Sequence, residues 1–86
     1  MKPLIPTNEV IGTFASEDTA RQAMVVLIQG MNNQDNVLRQ AAAEVNLKGA
    51  QVTVSWNNKA TLKPIIADIL RNLGADVPRV IERNCD

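Results

Sequence analysis

Apolar and polar positions alternate with a period of two from Val10 to Phe14 and again from Gln51 to Trp56, and the residues after each run switch to helical spacing. In the first run Val10, Gly12 and Phe14 share one side while Ile11 and Thr13 take the other. In the second, Val52, Val54 and Trp56 oppose Gln51, Thr53 and Ser55. Successive side chains of a strand point to opposite faces, so both runs predict strands with one buried face. Strand and helix patterns in alternation define an α/β domain.

Three helices are expected between and after these strands. Ser16 is a good N-cap, with Glu17 and Asp18 suited to the positive end of a helix dipole. Ala20, Met24, Leu27, Ile28 and Met31 then form a buried stripe, and Val25 and Val26 widen its apolar arc. The Asn-rich segment 30–36 breaks the pattern and reads as a loop. A second helix is predicted from Asp35 or Asn36, with Val37, Leu38, Ala41, Ala42 and Val45 as its stripe and Lys48 and Gly49 as its end. A third starts near Thr61 with Pro64 in its first turn, buries Ile65, Ile66, Ile69, Leu70 and Leu73, and stops at Gly74, with Val77 as the accompanying apolar contact.

Pro78, Val80 and Ile81 then suggest a short edge strand, charged by Arg79, Glu82 and Arg83. Residues 1–8, broken by Pro3 and Pro6, read as an extended lead-in to a single domain spanning 1–86, with no internal repeat. The element order is thus β-α-α-β-α-β. Strands joined through helices are normally parallel. The expected fold is a small two-layer α/β domain: a three-stranded, mainly parallel sheet with three helices on one face.

Composition narrows the chemistry. Phe14 and Trp56 are the only aromatic residues among 86, so the core is aliphatic and a hot spot of clustered Trp and Tyr is not expected. Nine basic and nine acidic residues cancel, which argues against a nucleic-acid or membrane-surface partner and favours association with further copies of the chain. Cys85 is the single thiol and histidine is absent, so neither a disulfide within the chain nor a zinc site is expected. Residues 1–6 are too short and too broken for a signal peptide, and no apolar run approaches the length of a membrane span. The expectation is a soluble, cytoplasmic protein without a cofactor.

In a parallel sheet, ligands bind beyond the carboxyl ends of the strands. That geometry would gather Ser16 and Thr19, then Asn57, Asn58, Lys59 and Thr61, and finally Arg83 and Asn84. Ser16, Asn57, Asn58, Lys59 and Thr61 are the candidate ligand site, with Lys59, Thr61 and Lys63 favouring an anion at a helix start. The same residue types are ordinary turn and cap formers. Without histidine the most versatile acid-base group at neutral pH is missing, and Cys85 lies one residue from the end of the sequence, so catalysis is not the expectation. The candidate interface is the solvent side of the sheet, Ile11, Thr13, Gln51, Thr53 and Ser55, or else the loop 30–36.

Two nucleic-acid modules fail on their own requirements. The segment Gly30-Met31-Asn32-Asn33 lacks the second glycine and the basic residues of a KH loop, and the two aromatics fall on the core side rather than on an RRM's exposed strands. In element order alone the chain resembles the barstar family. That family's acidic, tyrosine-bearing inhibitory segment has no match here, since Asp35 is the sole acid before Glu44 and Arg39 brings the opposite charge. The resemblance implies only that a small α/β unit can act purely as a binding surface. A protein-interaction module, self-associating, is therefore the expected function, with small-ligand or anion binding at the junction before the third helix as the alternative.

Overall fold

Glu44–Lys48 is the segment that decides the topology. Val45 and Leu47 alternate with Glu44, Asn46 and Lys48, and the computed structural model, which describes residues 8–76 and 78–82, shows a strand here rather than a helix end. The elements are β1 (Asn8–Thr13), α1 (Glu17–Gly30), α2 (Val37–Gln40), β2 (Glu44–Lys48), β3 (Gln51–Trp56), a 3-10 turn (Ala60–Leu62), α3 (Lys63–Asn72) and β4 (Arg79–Glu82). The expected long second helix is one turn only. Its start is held by Asn36, whose side chain accepts from the Leu38 and Arg39 amides at 2.8 and 3.3 Å.

β2 and β3 form a hairpin with Lys48 opposite Gln51, so Gly49 and Ala50 make the connection. Gly49 has φ +60°, and Ala50 is not in the positive-φ region, the pattern of a type II′ turn that only glycine begins easily. The hairpin reverses the chain once more than expected, and this overturns the parallel arrangement. The sheet has four strands in the order β2-β3-β1-β4, and every pair is antiparallel. With α2 counted as part of the connection into β2, the order β-α-β-β-α-β is that of the split βαβ, ferredoxin-like arrangement. The three-stranded parallel sheet, and with it the barstar element order, does not hold.

α1 packs over β2 and β3, and α3 packs over β1. Val10, Val52, Val54 and Trp56 face these helices and are buried together with Ala20, Ala23, Leu27, Ile66 and Leu70. Gly12 lies beneath α3: a methyl group in its place would meet the Cβ atoms of Ala75 at 3.1 Å and Leu70 at 3.3 Å, so its missing side chain permits the close approach. α1 is rotated from the expected stripe. Ile28 is 48% exposed, and Val25 and Val26 also face solvent; on α3, Ile65 is exposed where Ile66 and Leu70 are fully buried.

Residues 1–7, Val77, Arg83, Asn84 and Cys85 lie outside the described residues, so the expectations placed on them concern segments not described. No helix among the described residues is long and apolar enough to cross a membrane.

Candidate functional site

The antiparallel sheet separates the residues that a parallel one would have gathered. Ser16 follows the end of β1 where Thr13 pairs with Gln51, whereas Asn57, Asn58, Lys59 and Thr61 follow the end of β3 where Trp56 pairs with Asn8. A six-residue strand spans roughly 20 Å, so the two groups lie at opposite ends of the central strands.

Each group has a local structural task. Ser16 caps α1: its Oγ accepts from the Thr19 amide at 3.2 Å and shares a hydrogen bond with Thr19 Oγ1 at 2.9 Å. Asn58 and Lys59 both adopt left-handed backbone conformations, with φ +61° and +49°. Two buried donors hold that turn. Asn8 Nδ2 donates to the Asn58 carbonyl at 2.6 Å, and Trp56 Nε1 donates to the Lys59 carbonyl at 3.2 Å. The Lys59 ammonium reaches the Gln40 carbonyl at 3.5 Å.

Amides at the start of α3 are largely committed as well. The Leu62 amide donates to the Lys59 carbonyl, the Lys63 amide donates to the Ala60 carbonyl, and Pro64 has none to give. Thr61 lines an open, mostly aliphatic depression of about 550 Å³ with Ala60, Lys63, Pro64 and Val80. An anion needs free amides at a helix start, and this junction spends them on its own 3-10 turn. Asn8 is not legible as an anchor from sequence, because its partner lies fifty positions away in the chain.

A different assembly forms on the face of the sheet that carries no helix. Residues directly opposite one another in a sheet share a face, so the register places Glu44, Ser55 and Glu9 in a row at one end. Asn46, Thr53, Ile11 and Arg79 cross the middle, and Lys48, Gln51 and Thr13 form the other end. The five residues expected on the solvent side, Ile11, Thr13, Gln51, Thr53 and Ser55, thus occupy one continuous patch on the two central strands. Thr13 and Gln51 are exposed, Ile11 and Thr53 are half-buried, and Ser55 is buried.

Gln51 Nε2 and Thr13 Oγ1 approach to 3.5 Å across the strands, at the outer limit of a hydrogen bond. The charges are arranged by end. Glu44 and Glu9 stand at one end, Lys48 stands at the other, and Arg79 marks the β4 edge. Glu44, Lys48 and Arg79 are exposed and make no side-chain hydrogen bond or ion pair among the described residues. Off this face Arg21 pairs with Glu17 and Asp18, and Arg71 with Asp68.

Compared with family models, characterised proteins and solved structures, the chain matches none. A split βαβ arrangement hosts many unrelated activities and assigns none by itself. The reading of function therefore rests on the geometry of this face.

Proposed function

We propose that the protein is a non-catalytic interaction module that pairs with a second copy of itself through the helix-free face of its sheet. One observation carries the reading: a continuous four-stranded face bears Glu44, Lys48 and Arg79 with no partner among the described residues, while its two central strands carry, beside Glu9, the uncharged set Ile11, Thr13, Gln51, Thr53 and Ser55. Depletion of charge at the centre and polar groups at the rim is the anatomy of a contact surface. Zero net charge leaves no long-range repulsion between copies.

A second surface also attracts attention. From Gln22 to Gln34 the chain has no charged residue, and Val25, Val26 and Ile28 on α1 are 43%, 50% and 48% exposed. Aliphatic exposure of this kind on adjacent turns is a mark of protein contact. It gives the competing reading, self-association through α1.

Analytical ultracentrifugation over a concentration series separates the two. Thr53→Arg sets a charge at the middle of the sheet face and should leave a monomer, whereas Val25→Lys should leave the dimer intact. The reverse pattern would transfer the interface to α1. A wild-type chain that stays monomeric at the highest soluble concentration would end both readings. Unchanged circular dichroism in each variant confirms that the fold is intact.

A further inference from the structure

The charge rows also fix how two such faces meet. Resting on the reading that this face self-associates, we infer that the second copy stacks with its strands running opposite to those of the first, so that Glu44 lies over Lys48 of the second copy and Lys48 over its Glu44. With the strands of the two sheets aligned, two face-to-face orientations preserve twofold symmetry. An axis parallel to the strands keeps each end of the face over the same end of the second copy. An axis perpendicular to the strands exchanges the ends.

The first orientation reverses the strand order, so β2 lies over β4 of the second copy: Glu44 comes to the edge that carries Arg79, and Lys48 has no acid opposite it. The second sets the row of Glu44, Ser55 and Glu9 over Lys48, Gln51 and Thr13, which supply an ammonium, an amide and a hydroxyl as donors. Glu44 and Lys48 lie four positions apart on β2, about 13 Å, so the exchange is symmetric about Asn46 and yields two ion pairs per dimer. Electrostatic complementarity of this kind selects orientation and suppresses the alternative more than it adds affinity.

The middle row meets itself. Thr53 and Ile11 form the uncharged centre, and Arg79 at the β4 edge falls opposite Arg79 of the second copy. That like-charged pair opposes the contact. Four strands about 4.8 Å apart and four to six residues long give a face of roughly 19 by 19 Å at most. An area of that size belongs to small, reversible interfaces, so the dimer is weak and its rim charges count.

Charge reversal tests the orientation without touching the core. Glu44→Lys and Lys48→Glu are each made alone, and each purified variant should dimerise about tenfold more weakly than wild type, because both ion pairs become repulsions. Mixed in equal amounts, the two variants should form a heterodimer at near wild-type affinity, since lysine at 44 of one chain then faces glutamate at 48 of the other, and the native pair forms once. The double variant Glu44→Lys/Lys48→Glu should also recover. Equal affinity for homodimers and the mixed pair, in a wild-type chain that does dimerise, would overturn the opposed stacking and leave the self-association reading standing. A monomeric wild type would overturn both.

Discussion

The ends of α2 and α3 are built from closely similar segments, Leu38-Arg39-Gln40-Ala41-Ala42-Ala43 and Leu70-Arg71-Asn72-Leu73-Gly74-Ala75, yet they place different residues in the left-handed position. At each end the closing alanine amide donates to the leucine carbonyl five residues back at 3.0 Å, Ala43 to Leu38 and Ala75 to Leu70. The residue before it donates to the arginine carbonyl, Ala42 to Arg39 and Gly74 to Arg71, also at 3.0 Å. This is the Schellman motif twice over, with a fully buried leucine and a buried alanine in both copies.

The backbones differ in one respect. Ala42 has φ +54°, inside the small left-handed region that an L-residue enters at a cost of about 1 kcal/mol, whereas Gly74 has φ +110°, beyond that region. The motif therefore depends on its buried leucine and its satisfied carbonyls more than on glycine, and glycine becomes obligatory only where the chain must swing wider.

Truncating the anchors should have the largest effect. Leu38→Ala and Leu70→Ala should each lose about 2 to 5 kcal/mol in urea unfolding, because both side chains are fully buried. A loss confined to Leu70 would show that α2 is held by Asn36 alone and would break the comparison. Gly74→Ala comes next, at about 1 to 2 kcal/mol, all of it from the backbone, since a methyl group there would find Phe14 no closer than 3.9 Å. Ala42→Gly is the smallest and has the opposite sign. Relief of the left-handed strain outweighs the added freedom of the unfolded chain, and a gain of about 0.5 kcal/mol is expected by thermal denaturation. A loss there would show that Ala42 is unstrained.

That pair of segments also explains what could be read in advance. Gly74 announces a helix end to any reader of sequence, and the face assignments follow from the period of two, strict over six positions in β3 and carried by Val10 and Gly12 in β1. Ala42 announces nothing, because three successive alanines look like helix interior. The helical reading then ran on through Val45 to Gly49 and consumed β2, which removed the hairpin and turned the sheet parallel.

A signal was present nonetheless. Leu-Arg, an amide residue, two variable positions, Ala, an acid and Val recur at 38–45 and 70–77. The strand that follows the second copy has its counterpart in β2, which begins within the first. The candidate ligand site was inherited from the parallel sheet, so it scattered with it. Ile11, Thr13, Gln51, Thr53 and Ser55 depend only on the alternation within β1 and β3, so they share one face in either topology.

Trp56 adds a practical consequence. It is the single indole of the chain, 2% exposed, and bound through Nε1 to the Lys59 carbonyl at the end of the sheet where β1 begins. Its emission should sit well to the blue of a solvated indole and move red on denaturant addition, which makes loss of the native state visible with no label attached. Because the ring faces the helices and the proposed contact uses the opposite surface, dimerisation should leave this signal nearly constant. One optical channel can thus follow unfolding alone, while sedimentation follows assembly.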